Sequence, residues 1–211
     1  EIEARTLELN SVAALAWEHL VLVLISALLV IATAIPLGIL LTRQSTQFLA
    51  PVVTGIANIG QAAPVVGVIV LLAIWLGFGT PVAILGLWFY AFLPVLANVI
   101  AGLRGVDKQL IEAAHGLSMS PMQVLAKVEL PLALPVIMTG VRTSLVLLVG
   151  AGAFATFIDA GGLGGLITSG INLYRTPILV SGAVLIAALA LTVEWVGRLL
   201  ELAFTPKGMI K

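Results

Sequence analysis

Apolar positions in this chain do not alternate and do not recur at every third or fourth residue; they run on for twenty residues at a time. Five such runs stand out, at 20–41, 51–75, 82–103, 132–158 and 178–202. Each reaches the roughly 20 residues that a helix needs to cross a bilayer core. The pattern predicts an all-α integral membrane protein with about five transmembrane helices. Polar punctuation separates the runs. Thr42-Arg43-Gln44-Ser45 ends the first, and Gly77-Phe78-Gly79-Thr80-Pro81 reads as a turn by its Gly and Pro content. A polar stretch over 104–129 follows the third run, and a Gly-rich loop from Asp159 to Thr176 follows the fourth. Pro64 lies inside the second run and is the one place where a span could split in two.

Composition sharpens this reading. The 211 residues are 61% hydrophobic and 9% charged, against about 25% charged in soluble domains. Net charge is zero, which gives no electrostatic footprint for nucleic acid. There is no Cys and the two His are far apart, which excludes disulfides, zinc–thiolate sites and a thiol nucleophile. Glu1-Ile2-Glu3-Ala4-Arg5 has no basic n-region, so 1–19 is read as an external N-terminal segment and not a signal peptide. Five spans put the two ends on opposite sides. With the N-terminus outside, the inner segments hold Arg43, Arg104, Lys108, Lys127, Lys207 and Lys211, and the outer ones only Arg5 and Arg175. That is the positive-inside bias. The domain plan is one transmembrane domain over 20–202, a cytoplasmic loop over 104–131 and a cytoplasmic tail over 203–211.

The cytoplasmic loop carries its own helix signals. Asp107 can N-cap a helix through Ala114, and Gly116 suits a left-handed residue that ends it. Ser120 reads as a second N-cap, with Pro121 at the first helical position and Gln123 closing a capping box. Leu110, Ile111, Met119, Met122 and Leu125 give this pair an apolar side outside the bilayer. Such a side packs either on the bundle's own underside or on a partner.

Glu112-Ala113-Ala114, then Gly116, and after a short helix Leu130-Pro131, resemble the "EAA" loop of ABC importer permeases. The resemblance runs from about residue 18 to the end of the chain and implies a type I importer permease fold with cytoplasmic coupling helices. It implies that Glu112, Ala113, Ala114, Gly116, Leu117 and Ser120 form the surface on which an ABC ATPase docks, with Gly116 allowing a bend and Pro131 marking re-entry into the membrane. It further implies a second permease chain, identical or paralogous, an extracytoplasmic substrate-binding protein, and the cell membrane of a prokaryote. His115 and Met119 receive no special role.

No G-x-x-x-x-G-K-[ST] is present, so ATP and Mg²⁺ belong to the partner ATPase and the chain is read as a translocation subunit with no catalysis or cofactor of its own. Gly150-x-Gly152-x-x-Ala155 has the letters of a dinucleotide fingerprint, but inside an apolar run it reads as close helix packing. Asn58 and Gln61 share one helix face and, with Asn98, either line a path or hydrogen-bond between helices. Arg142 is expected to snorkel to the inner interface, and Glu194 to pair with Arg198 at i, i+4. Asp159, Gly161, Gly162, Gly164 and Asn172 mark a packed outer segment, which in related permeases lies near the pore and the docked binding protein. Ile158-Asp159-Ala160-Gly161-Gly162-Leu163-Gly164 looks most like the osmoprotectant branch (glycine betaine, choline, carnitine, proline betaine), with Asp159 where that branch has Gly. Another small solute such as an amino acid is the alternative, followed by a passive channel or secondary transporter. Trp75, Trp88, Phe89, Tyr90 and Phe92 are interface aromatics and are not read as a cation cage.

Overall fold

A computed structural model describes residues 6–204. Arg5, the rest of 1–5, and the tail from 205 with Lys207 and Lys211 lie outside the described residues. Among those described there is no strand. The helices are α1 (Leu9–Leu40), α2 (Ala50–Ala62), α3 (Val65–Leu76), α4 (Thr80–Arg104), α5 (Lys108–Gly116), α6 (Pro121–Ile158), α7 (Gly164–Asn172) and α8 (Thr176–Phe204).

Four helices are long and apolar enough to cross a membrane: α1, α4, α6 and α8. The expected second span is broken. Its two halves meet at 98°, and Ala63 and Pro64 are both extended, with ψ of 143° and 114°. Pro64 has no amide to continue the ladder and forces the residue before it out of the helical region. At 1.5 Å per residue the halves are only about 20 and 18 Å long, each short of the roughly 30 Å hydrocarbon core. Counted as one bent unit they complete a set of five.

The first helix starts at Leu9, so residues 9–19 form its opening turns and run helically into the first apolar stretch. Glu18 and His19 look like a membrane boundary in the sequence, yet His19 is fully buried. Its Nε2 lies 2.9 Å from the Val149 carbonyl of α6, which accepts the ring proton.

Helix α4 is the centre of the bundle: 56% of its apolar stretch is buried inside the chain, against 17% for α8. Small residues set its closest approaches. A Cβ on Gly140 of α6 would stand 2.6 Å from the Pro94 carbonyl of α4, and one on Gly38 of α1 would stand 2.5 Å from Val99. Packing between membrane helices rests on such small-residue contacts. In the Gly150-x-Gly152-x-x-Ala155 run, Gly152 seats the His19 ring and Ala155 is buried.

The expected Gly-rich loop is largely helical. Asp159, Gly161 and Gly162 turn the chain with φ of 58°, 76° and 88°, and α7 then folds back against the end of α6 and the start of α8. A Cβ on Gly164 would collide with the Ala153 backbone, and one on Gly170 with the Leu179 backbone. The glycines are there for contact, since Gly164 and Gly170 are buried at those crossings.

Gly164→Val should therefore destabilise the purified protein by about 3 kcal/mol, the upper end for overpacking. Gly150→Val, where a Cβ meets nothing within 4 Å, should be near neutral; thermal unfolding in detergent compares the two.

Candidate functional site

Helix α6 has 38 residues, about 57 Å at 1.5 Å per residue, so it exceeds a bilayer core of roughly 30 Å. The polar segment lies at its start and the Asp159–Asn172 segment at its finish, at opposite ends of the molecule. Arg43, Arg104, Lys108 and Lys127 fall at the first end and Arg175 at the other.

At the first end, Asp107 N-caps α5 by accepting from the Gln109 amide at 2.8 Å. Ser120, Pro121 and Gln123 form the expected capping box, with the Ser120 amide donating to Gln123 Oε1 at 2.8 Å. The termination of α5 differs from expectation. Gly116 is an ordinary helical residue, and Ser118 holds the left-handed position with φ 59°. The Ser118 amide donates to the His115 carbonyl and the Met119 amide to the Ala114 carbonyl, the paired bonds of a Schellman motif with Ser118 as its left-handed residue. A Cβ on Gly116 meets nothing within 4 Å, so the fold places no steric demand there.

The second expected helix is not separate either, because Pro121 begins α6 itself. A π-helical turn over Leu125–Glu129 joins the capped start to the span, with the Leu130 amide reaching back five residues to the Leu125 carbonyl. Pro131, which cannot donate an amide, follows immediately and lies inside a continuous helix.

Burial divides the polar segment into two faces. Ala114 and Val124 are buried and Ile111 and Leu125 pack on the core. Glu112, Ala113, His115, Gly116 and Ser120 are exposed, and Leu110, Leu117 and Met122 expose 49%, 79% and 70% of their surface. Part of the segment packs on the bundle and part stays uncovered. Ala114 serves the fold, while Leu117 and Met122 are left uncovered.

Two charged clusters bind α6 to its neighbours, and sequence reasoning missed both. Arg43, just past α1, gives Glu129 a forked pair at 2.8 and 3.3 Å, and Glu129 is only 7% exposed. Arg142 is tied to the neighbouring helix. It pairs with Glu194 at 3.0 Å and Glu201 at 2.8 Å on α8, its stem lying over Gly197, where a Cβ would be 3.3 Å from Arg142 Cγ. Glu194 is thus held by a tertiary partner, not by Arg198. The signal available was spacing: Glu194, Gly197 and Glu201 fall on one face at i, i+3 and i+7.

At the far end, the Gly162 amide donates to Glu18 Oε2 at 3.2 Å. Glu18, Trp17, Thr80, Asp159 and Gly161 line a cavity of about 400 Å³. Gly162 covers the His19 ring, and Gly164 is buried in the α6–α7 crossing. Asn172 is exposed at the end of α7. Asn58 is exposed and Gln61 half-buried on α2, whose buried positions are Ala50, Ala57 and Gly60. Neither amide lines that cavity, and neither makes a side-chain hydrogen bond among the described residues. An interhelical bond within the chain is therefore not their role, and the two groups of candidates do not form one site. Asn98 instead donates to the Pro94 carbonyl on its own helix at 2.8 Å. Trp88 Nε1 donates to Thr33 Oγ1 at 2.9 Å, its ring lies 5.3 Å from buried Phe92, and Trp75 is 84% exposed. Among the described residues no group of three His, Cys, Asp or Glu could hold a metal ion.

A helical bundle of membrane-crossing length, with a capped helical segment held at one end, defines a multi-pass membrane protein. Its backbone overlays a chain of the MetNI methionine ABC transporter in an inward-facing conformation with a TM-score of 0.81. Identity is 26%, over 92% of this chain and 96% of that one. The chain belongs to the family of binding-protein-dependent transport system inner membrane components, whose model matches residues 34–205. It is 42% identical over 193 residues to the choline transport system permease protein OpuBB of Bacillus subtilis (strain 168), covering 92% of this chain and 88% of that one. The same identity and coverage relate it to the carnitine transport permease protein OpuCB of Listeria monocytogenes.

Arg142→Ala removes the guanidinium that ties α6 to Glu194 and Glu201 of α8 and should cost about 1–3 kcal/mol, a figure held down by their partial exposure. Glu194→Gln, which keeps the Glu201 pair, should cost less. Thermal midpoints in one detergent would order the two variants.

Proposed function

We propose that this chain is the translocation subunit of an ATP-driven importer of quaternary-ammonium osmoprotectants such as choline, carnitine and glycine betaine. It sits in the inner membrane of a prokaryote with α5 in the cytoplasm, the C-terminus inside and the N-terminus outside. Two such chains flank a path, an ABC ATPase bears on α5, and a binding protein delivers solute to the opposite end. The observation that carries the reading is the uncovered face of the polar segment. Glu112, Ala113, Gly116, Leu117 and Met122 project from a capped helix pair whose other face is packed. Exposed apolar side chains gathered on one face outside the bilayer are the kind of patch that a partner covers. Charge supports the same sidedness, since basic residues gather at the α5 end. ATP and Mg²⁺ are the ATPase's, and this chain converts its closure into movement of the bundle.

The solute class rests on the printed activities of the choline and carnitine relatives. The methionine transporter, lower in identity, supports the runner-up of amino-acid import. Selection belongs to the binding protein, and this chain offers a weakly selective path on which Asn58 and Gln61 of the bent unit, and Asp159 and the glycines at the outer end, are the polar candidates.

Glu112→Arg and Gly116→Val should each lower ATP-driven choline uptake about tenfold, within usual coupling free energies, in proteoliposomes carrying permease, ATPase and binding protein. Thermal stability should be unchanged, because Gly116 is helical with open space around it and Val is at least as good a helix former there. Wild-type uptake by both variants would remove the docking assignment. Uptake of methionine in place of choline, carnitine and glycine betaine would move the solute class to the runner-up.

A further inference from the structure

Arg43 uses every nitrogen of its guanidinium. Nε donates to the Ile39 carbonyl at 3.3 Å, Nη2 to Thr42 Oγ1 at 3.1 Å and to Glu129 Oε2 at 2.8 Å, and Nη1 to Glu129 Oε1 at 3.3 Å. One planar group therefore grips the last turn of α1 and a carboxylate of α6 together. Glu129 ends the π-helical turn, and π turns are single-turn irregularities inside helices that recur at functional sites. Its carboxylate is nearly buried, so letting go of Arg43 would strand a charge, a strongly unfavourable outcome. The chain beyond Arg43 is short and bonded: the Gln47 amide donates to the Arg43 carbonyl at 2.9 Å, and Thr46 Oγ1 donates to the Leu40 carbonyl. Three residues after Gln47 begins α2, which bears Asn58 and Gln61.

We infer that Arg43 and Glu129 form a permanent joint that makes α1, and α2 attached to it, follow displacement of the polar segment. The pair is a positioning pair. It touches no solute and acts by keeping the π turn and the end of α1 one rigid piece through the transport cycle. The inference rests on the reading that the polar segment receives the ATPase's stroke.

The experiment uses the full transporter with its ATPase and binding protein. Arg43→Gln and Glu129→Gln should each lower choline moved per ATP hydrolysed about tenfold while hydrolysis continues, and the exchange Arg43→Glu with Glu129→Arg should recover most of the loss. A purely structural role would lower stability and both rates together. The chain has no cysteine, so spin labels on Gln44→Cys and Lys127→Cys, both exposed, report the joint with the native pair in place even if the charge variants fail to assemble. Their separation should be the same with and without trapped ATP, and should broaden in Glu129→Gln if that variant assembles. A separation that changes on trapping ATP, or wild-type transport per ATP in both neutral variants, overturns the joint. Glu112→Arg in the same assay keeps the two readings apart. If it imports normally the docking assignment falls, whereas uncoupling by Glu112→Arg alone leaves docking standing and removes the joint.

Discussion

A polar side chain inside an apolar bundle must find its partner within the protein, because lipid offers none. That constraint organises this molecule around α6. His19 of α1 reaches the Val149 carbonyl, Ser144 donates to the Ala91 carbonyl of α4 at 2.9 Å, Arg43 forks onto Glu129, and Arg142 holds α8 through Glu194 and Glu201. Van der Waals packing of small residues brings α4 and α6 together, but it does not by itself fix rotation or register. The polar links do, since each fails if a helix slides by one residue. An intramembrane arginine shared by two carboxylates on one neighbour is such a registration device.

The same constraint explains what could be read from the sequence. Apolar run length follows directly from bilayer thickness, so the third span (82–103 expected, Thr80–Arg104 found) and the fifth (178–202 expected, Thr176–Phe204 found) were legible almost to their ends. The capping box at Ser120 was legible because its chemistry lies within four residues. The start of α1 was not. Glu18 and His19 look like a boundary until one knows that the Gly162 amide donates to Glu18 and the Val149 carbonyl accepts from His19 Nε2, both from more than a hundred residues away. Glu194 was misread for the matching reason: its i+4 neighbour Arg198 offers a pair worth a few tenths of a kcal/mol, and a guanidinium from another helix at 3.0 Å displaced it.

Glycine was the least transparent letter. Gly116 suggested a left-handed stop by the ordinary local rule, yet it is the last helical residue and Ser118, two positions on, holds that conformation. The Asp159–Asn172 segment suggested a loop by composition. It is helical because Gly164 and Gly170 let α7 approach the backbones of Ala153 and Leu179 more closely than any side chain allows. Helix propensity lost at each glycine, about 1 kcal/mol, is offset by packing that no window of sequence displays.

The architecture also sets how force can travel. A helix capped at Ser120 and unbroken to Ile158 spans the molecule, so a displacement at its start cannot be absorbed by a loop. The π turn before Pro131 interrupts its α-helical ladder, and Arg43 is attached where that turn ends. The bent α2–α3 unit has the opposite character. Its 98° break at Pro64 leaves two short helices that both pack on α4, with Asn58 turned away from the chain's own core. A long helix carrying the polar links thus stands beside a sharply bent unit that carries none of them.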